Sequence, residues 1–207
     1  INAHNAWDIW NVHNLKPSDK SVLLASVDSG VDYTHPDLVN NIWINQGEIP
    51  INNFNDIDEN SDEFVSSTEL LNFLNDYNLD GAINLKDAVD TNSPLLDNID
   101  SDQNGFIDDI IGWDASGNTN IDAVTAIPDN DPFPDYLSEE WSHGTHVAGI
   151  LGATTDNGQG IASAAFDVKI IPVKGVRLNV VDNSTNFQDT YDGILYAAKA
   201  GYYAGTF

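Results

Sequence analysis

The sequence predicts an α/β fold built around a mainly parallel sheet. Two short apolar runs, 22–27 and 168–173, are rich in Val, Leu and Ile, and turn residues follow the first of them. Continuous apolar runs of this length are typical of strands buried on both faces of a parallel sheet. Helical patterns alternate with these runs along the chain, and such alternation favours an α/β architecture.

Four segments carry apolar residues at helical spacing: 3–10, 66–74, 142–153 and 187–200. Ser67 is the expected N-cap of the second segment. The third segment is rich in small residues, which allow a helix to pack closely beneath a sheet. Gly201 is expected to end the fourth helix. The apolar face of that helix comprises Tyr191, Ile194, Leu195 and Ala198.

The composition excludes several classes of protein. Among 207 residues, 7 are basic and 33 acidic, for a formal net charge of −26. This charge argues against binding to nucleic acid and against docking on an anionic membrane. The hydrophobic fraction of 41% is too high for a disordered acidic tail. The chain contains no Cys and no apolar run of the roughly 18 residues that a membrane span needs.

Two short motifs carry candidate chemistry. The first is Val-Asp-Ser-Gly-Val-Asp at 27–32, followed by His-Pro-Asp-Leu at 35–38. The second is His-Gly-Thr-His-Val-Ala-Gly at 143–149. Asp28 lies at the carboxyl end of a predicted strand, where open α/β sheets place their active sites. A carboxylate there can orient the imidazole of His143, which can then accept a proton from a nucleophile.

In order and combination, these motifs resemble the subtilisin-like serine proteases (the subtilases, peptidase S8). The resemblance covers roughly residues 1–45 and 110–200. It extends to 160–162 and 168–174, with Ser163 at a position where Pro is usual. It implies a three-layer, subtilisin-like α/β fold, incomplete in this chain, and a secreted serine endopeptidase acting on protein or peptide substrates.

The resemblance also assigns roles to individual residues. Asp28 becomes the triad acid and His143 the general base, whereas Asp32 is a neighbour of the triad. His146 is expected to be structural and packed under its helix. Asp37 matches a calcium ligand of the family, although 153–160 is short for the loop that supplies the other ligands.

The nucleophile of the family lies in a Gly-Thr-Ser motif far downstream, and this sequence has no such motif. The serines after His143 are Ser163 and Ser184, neither in that context. The oxyanion-hole Asn and the strand that lines the substrate cleft also lie downstream in the family. We therefore expect a fragment that is inactive alone, because it carries the Asp and the His but not the Ser. Its expected partner is the C-terminal part of the catalytic domain.

Most of the acidic residues lie in one segment. Residues 56–140 contain 22 acidic residues and one basic residue, Lys86. Within it, 76–87 fits a 12-residue EF-hand-like loop, with Gly81 at the sharp turn. Ile83 occupies the apolar position of such loops, and Asp87 stands where Glu is usual. The candidate Ca²⁺ ligands of this loop are Asp76, Asn78, Asp80, the carbonyl of Ala82, and Asp87.

A second loop at 100–109 has the same pattern, with Gly105 at the turn. A similar stretch precedes a Gly-Trp pair in many subtilases, here at 112–113. Its candidate ligands are Asp100, Asp102, Asn104, the carbonyl of Phe106, and either Asp108 or Asp109 as the closing carboxylate. We therefore divide the chain into 1–45 and 113–207, the N-terminal part of the catalytic domain, and 46–112, an acidic insertion with EF-hand-like calcium loops.

Three alternatives remain open at the level of sequence. The run 56–62 lacks a Gly and is either a third cation loop or a solvated acidic turn. The whole chain is alternatively a non-catalytic calcium-binding scaffold with a degenerate protease fold. A metal hydrolase with His143 and His146 as zinc ligands would need a third ligand, and none has recognisable spacing.

Overall fold

The computed structural model describes residues 22–117, 127–135, 141–166, 168–178, 185–187 and 189–204. The central sheet has three parallel strands, which are Leu23–Asp28 (β1), Trp113–Asp114 (β2) and Lys169–Lys174 (β3). The middle strand is β3, whose Lys174 lies opposite both Asp28 and Asp114. The carboxyl ends of all three strands therefore meet at one edge. The predicted parallel sheet is confirmed.

The remaining elements surround this sheet. The α-helices are Ile51–Ile57 (α1), Ser67–Phe73 (α2), His143–Gly152 (α3) and Thr190–Tyr203 (α4). A two-stranded antiparallel ribbon joins Arg177–Leu178 (β4) to Thr185–Asn186 (β5). Short 3-10 turns occur at Val39–Asn41, Gln46–Glu48 and Leu85–Ala88. None of the described helices has the length and apolar character that crossing a bilayer requires. The predicted helix at 3–10 lies outside the described residues.

Alternating side chains of β3 enter two different core clusters. Ile170 packs in the larger cluster, whereas Ile171 and Val173 pack with Tyr196 and Ala200 of α4. Successive side chains of a strand point to opposite faces, so the two clusters lie on opposite faces of the sheet. The chain therefore forms helix, sheet and helix layers, as an incomplete α/β fold.

Helix α3 packs against the sheet through its small residues. A Cβ added at Gly152 would lie 2.7 Å from Cδ1 of Ile170 and 2.9 Å from a methyl group of Val168. A larger residue at this position would force the side chains of Ile170 and Val168, or the helix itself, to shift. The expectation that small residues bring this helix close to the sheet is confirmed.

The segment 46–112 shares the larger core with the rest of the chain. Ile57 and Leu70 of this segment belong to the same buried cluster as Val31, Ile42 and Ile170. The division of the chain at 45–46 and 112–113 stays a prediction about its organisation, and this segment has no separate core among the described residues.

Two helix boundaries differ from those predicted. Ser66, rather than Ser67, caps α2, and its side chain exchanges hydrogen bonds with Glu69 in a capping box. Helix α4 continues through Gly201 to Tyr203, so the predicted stop was wrong. The helix continues because Gly201 lies on its buried face, and such packing overrides local propensity.

The apolar face predicted for α4 is exposed. Tyr191 is 81% exposed, and Ile194 and Leu195 are more than half exposed. Ala198 is exposed as well. The face that packs on the sheet instead contains Gly193, Tyr196, Ala200 and Gly201. This helix therefore buries Tyr196 and three small residues, and presents Tyr191, Ile194 and Leu195 at the surface of the described structure.

Candidate active site

Asp28 is the last residue of β1, at the edge where the parallel strands end. Its backbone carbonyl accepts a hydrogen bond from the N–H of Gly175 at 2.9 Å. Its carboxylate oxygen Oδ1 accepts another from the N–H of Ser29 at 2.7 Å. The bond from Gly175 fixes the backbone of Asp28, and the bond from Ser29 fixes its carboxylate, at the carboxyl edge of the sheet.

His143 is the first residue of α3, and its ring faces Asp28. Nδ1 of His143 lies 2.7 Å from Oδ1 and 2.9 Å from Oδ2 of Asp28. The His143 side chain is 69% exposed, whereas that of Asp28 is 19% exposed. The fold therefore brings together the two residues that the motifs singled out, although 115 positions separate them in the chain.

Two glycines allow this approach. A Cβ at Gly144 would collide with the carbonyl oxygen of Gly30 and lie 3.0 Å from Cβ of Asp28. Gly30 itself has φ of +97°, and a Cβ there would lie 2.8 Å from the carbonyl oxygen of Pro132. The start of α3 is thus in backbone contact with the turn after β1, which excludes a side chain at Gly144, whereas the positive φ of Gly30 and its contact with Pro132 exclude one at Gly30.

This geometry suits proton transfer. An ionised carboxylate only accepts hydrogen bonds, so Nδ1 of His143 is the donor toward Asp28. The bond selects the Nδ1–H tautomer and leaves Nε2 to accept a proton from a third group. The carboxylate also stabilises the imidazolium that results. In this geometry a carboxylate can orient an imidazole that accepts a proton; the roles of Asp28 as triad acid and His143 as general base stay predictions.

A comparison with protein families matches residues 19–203 to the Subtilase family. This chain belongs to the subtilase family. Halolysin of Haloferax mediterranei is 42% identical to it over 73 residues, which cover 35% of this chain and 13% of halolysin. The thermophilic serine proteinase of Bacillus sp. is also 42% identical over 73 residues, covering 35% of the chain and 17% of that protein.

A longer match covers most of this chain. Subtilisin-like protease 1 of Plasmodium berghei is 27% identical over 159 residues, which cover 77% of this chain and 17% of that protein. The matches to these three relatives thus span between 13% and 17% of their lengths. Family membership and the names of the relatives support a serine protease.

A buried lysine of this subtilase chain, Lys174, lies at the same sheet edge, and neither motif includes it. Nζ of Lys174 lies 2.6 Å from Oδ2 of Asp114 and 2.7 Å from Oδ1 of Asp135, and the lysine side chain is 1% exposed. Burial lowers the pKa of Lys174, but the two carboxylates more than compensate, so its pKa lies above its ordinary value. Burial also raises the pKa of the nearby Asp129 to about 6.

The loop that follows α3 reaches Asp37, although it was expected to be short for this. The buried Asp37 carboxylate accepts hydrogen bonds from the side-chain amide of Asn157 at 2.8 Å and from the N–H of Ile161 at 2.9 Å. The packing predicted for His146 was wrong, because His146 is exposed. It borders a groove with Ile150 and Ile161 rather than packing under its helix.

An acidic residue from another segment, Glu48, lies beside loop 100–109. Oxygen atoms of Glu48, Asp100 and Asp102 all lie within 4.8 Å of one another, and this is the one such acidic group among the described residues. Oδ1 of Asp100 is buried and has no hydrogen-bond partner. Glu48 itself is 2% exposed. No local spacing rule would have found Glu48, because it precedes the loop by more than 50 residues.

The two residues predicted to close this loop have other partners. Oδ1 and Oδ2 of Asp108 accept hydrogen bonds from the N–H groups of Asp97 and Asn98, each at 3.1 Å. Asp109 accepts bonds from the side-chain amides of Asn45 and Asn104. Burial, together with the charges of Asp102 and Glu48, raises the pKa of Asp109 to about 8.

Asn104 is part of the same network, and the loop turns as predicted. Its side-chain oxygen accepts the N–H of Phe106 at 2.7 Å, and its amide donates to Asp102 at 3.0 Å. Gly105 has φ of +96° and its N–H donates to Asp100 at 2.9 Å. The assignment of Asp100, Asp102, Asn104 and Phe106 as Ca²⁺ ligands stays a prediction.

Loop 76–87 is folded on itself and is more exposed. Asp76 accepts the N–H groups of Asp80 and Gly81, while Oδ1 of Asn78 also accepts that of Asp80. Oδ1 of Asp80 accepts the N–H of Ala82 at 2.9 Å.

The buried Asp87 closes this loop through hydrogen bonds. Its Oδ1 accepts the N–H of Tyr77 at 2.8 Å, and its Oδ2 accepts that of Asn84 at 2.9 Å. Both oxygens of the predicted closing carboxylate are therefore bonded to backbone groups of the loop. The predicted Ca²⁺ site in this loop stays a prediction.

Proposed function

We propose that this chain supplies the acid and base of a secreted serine endopeptidase that hydrolyses protein or peptide substrates. The observation that carries the proposal is the 2.7 Å contact between Nδ1 of His143 and Asp28, in a chain of the subtilase family. The exposed imidazole leaves Nε2 on the solvent side of the pair, where a nucleophile and a substrate can reach it.

In the proposed reaction, a serine hydroxyl gives its proton to Nε2 of His143 while its oxygen attacks the peptide carbonyl. Asp28 stabilises the resulting imidazolium, which then protonates the leaving amine. Water hydrolyses the acyl-enzyme by the same steps. The sequence of this chain has no serine in a Gly-Thr-Ser context, so the proposal assigns the nucleophile to a further segment of a longer protein.

The exposed apolar face of α4 supports a further segment. Tyr191, Ile194 and Leu195 together present a large apolar surface beside the sheet. Exposed patches of this kind mark surfaces that bind another protein segment. The proposal therefore includes the C-terminal part of the catalytic domain as the partner that covers this face.

The proposal is tested by comparing peptide hydrolysis by the 207-residue chain with hydrolysis by the product of the complete reading frame. The 207-residue chain is expected to hydrolyse a casein substrate no faster than buffer. The product of the complete reading frame is expected to be active, and His143→Ala is expected to lower its kcat by roughly 10⁴-fold or more. A complete product that folds, contains no Gly-Thr-Ser segment and is inactive would contradict the protease and favour the calcium-binding scaffold.

We further propose that loop 100–109 binds Ca²⁺ and that Glu48 completes its ligand set. Ca²⁺ takes six to eight oxygen ligands, and carboxylates from Asp and Glu are its usual protein ligands. Asp100, with its unpartnered buried Oδ1, and the neighbouring Glu48 and Asp102 fit this donor set. A bound ion would supply the positive charge that these three carboxylates lack.

Thermal unfolding with and without the ion tests this part. At a Ca²⁺ concentration 100 times Kd, binding stabilises the folded state by about 2.7 kcal/mol. For a chain of this length, such a change raises Tm by about 5–10 °C. Equal Tm values in Ca²⁺ and in EDTA would contradict the proposal.

Secretion is the third part of the proposal. The relatives include an extracellular basic protease of Dichelobacter nodosus and an extracellular protease of Xanthomonas campestris. An acidic chain with the proposed Ca²⁺ site fits an environment rich in Ca²⁺. Detection of the protein in the medium, rather than in cell extracts, tests this assignment.

A further inference from the structure

Ser29, which follows Asp28, contacts the chain both before and after His143. The hydroxyl of Ser29 donates to the carbonyl oxygen of Trp141 at 3.1 Å. The N–H of Gly144 donates to the same hydroxyl oxygen, also at 3.1 Å. Ser29 is 7% exposed, so both bonds form away from competing water.

The start of α3 needs such a contact. The first N–H groups of a helix have no partner within the helix, and a side chain of the N-cap residue usually accepts one of them. Ser142 occupies the N-cap position of α3 but makes no side-chain capping bond. The hydroxyl of Ser29 accepts the N–H of Gly144 in its place, from a strand end 115 residues earlier in the chain.

The imidazole has few restraints of its own. Because the His143 side chain is 69% exposed, packing does not define its position relative to Asp28. The backbone position of His143 therefore sets the distance between its ring and Asp28. Ser29 bonds to Trp141 and Gly144, one before and one after His143 in the chain. Ser29 is also bonded through its N–H to Oδ1 of Asp28, so one residue is tied to both members of the pair.

We propose that Ser29 is a positioning residue for the general base: its buried hydroxyl holds the start of α3 so that Nδ1 of His143 stays within hydrogen-bond distance of Asp28. The proposal rests on the proposed function for the role of His143, but the positioning itself is a property of the folded chain. A second link, from the N–H of Asp32 to Oγ1 of Thr145 at 2.9 Å, keeps the helix attached when the first is removed.

The test uses the tautomer of His143, which a merely structural serine would not affect. In neutral imidazole, the partner of one ring nitrogen decides which nitrogen carries the proton. The ¹⁵N chemical shifts of His143 in the 207-residue chain, recorded at alkaline pH, give the ratio of the Nδ1–H to the Nε2–H form. Asp28→Asn serves as the reference without the carboxylate.

We expect the wild-type ratio to exceed that of Asp28→Asn, and Ser29→Ala to lower it about fivefold, which corresponds to about 1 kcal/mol. Ser29→Thr, which keeps a hydroxyl, is expected to restore most of the ratio. The matched control is Ser163→Ala, since Ser163 is 1% exposed and its hydroxyl also bridges two groups, Ala165 and Thr155. This control is expected to leave the His143 tautomer unchanged.

The outcomes separate the two proposals. A wild-type ratio that depends on Asp28 but is unchanged in Ser29→Ala overturns the role of Ser29 and leaves the acid–base pair intact. A wild-type ratio equal to that of Asp28→Asn overturns both. Should Ser29→Ala not fold, Ser29→Cys carries the same test, because its thiol is a weak donor and acceptor of similar size; an unchanged ratio in that variant would also overturn the proposal.

Discussion

At the sheet edge, the carboxylates of Asp114 and Asp135 both contact the ammonium group of Lys174. In contrast, Glu48, Asp100 and Asp102 form no ion pair with Lys or Arg among the described residues, although Glu48 is nearly as buried as Lys174. Clustered, buried carboxylates are destabilising unless positive charge is nearby. The chain therefore supplies its own positive charge at the carboxyl ends of the strands and, on our proposal, depends on Ca²⁺ at loop 100–109.

The largest effect is expected at the sheet edge. Lys174→Met would leave two buried carboxylates without their partner, and breaking a buried pair in this way costs about 3–5 kcal/mol. Urea unfolding at neutral pH measures the loss. Lys169→Met in the same strand is the control, because Lys169 is only partly buried, and we expect it to cost less than about 1 kcal/mol. Equal losses in the two variants would show that Lys174 does not hold this cluster together.

The next largest effect is expected at the group of Glu48, Asp100 and Asp102. Glu48→Gln is expected to remove most of the roughly 2.7 kcal/mol that Ca²⁺ contributes at 100 times Kd, because a carboxamide is a poorer ligand than a carboxylate. Tm measured in Ca²⁺ and in EDTA gives the difference. Glu59→Gln, at an exposed position, is the control and should keep the full Ca²⁺ shift. A full shift in Glu48→Gln would rule out Glu48 as a ligand.

A third effect is a pH dependence of stability that comes from Asp129, near Lys174. The pKa of Asp129 is about 6 in the folded chain and about 3.9 when unfolded. Below about pH 3 the group is protonated in both states; as the pH rises from there through 6, the unfolded state ionises more readily and stability falls. Asp129→Asn should therefore stabilise the chain by about 3 kcal/mol at pH 7.5 and by less than about 1 kcal/mol at pH 4.

Unfolding free energies at the two pH values check this sign. The exposed Asp56 offers a matched control, since Asp56→Asn should have a similar, small effect at both. Stabilisation by Asp129→Asn that is as large at pH 4 as at pH 7.5 would assign the effect to packing rather than to titration.

The smallest effect separates the two acidic loops. Asp76→Asn changes the first position of loop 76–87. Its carboxylate accepts backbone N–H groups, and the loop forms no group of three acidic side chains within 4.8 Å of one another among the described residues. We expect Asp76→Asn to alter the Ca²⁺-dependent shift in Tm by less than about 2 °C, whereas Asp100→Asn should remove most of it. Equal effects would indicate that both loops bind the ion with similar strength.

The local motifs predicted much of the candidate site. Asp28 and His143 were identifiable because each lies in a short, specific motif at an element end, and the fold places them in contact. The turns at Gly81 and Gly105 were also predictable, since positive φ at these positions follows from glycine in a loop of this pattern. Contacts between distant segments were not predictable: Glu48 at loop 100–109 and Lys174 with Asp135 depend on which segments the core brings together.

Periodicity and contiguous motifs in the sequence were enough to predict the family, the parallel sheet and the contact between Asp28 and His143. Only the tertiary structure decided that Gly201 lies within α4, that His146 is exposed and that Ser29 bonds to the start of α3. The physical reason is that burial and hydrogen bonding between segments more than 50 residues apart are set by core packing, which local propensity does not encode.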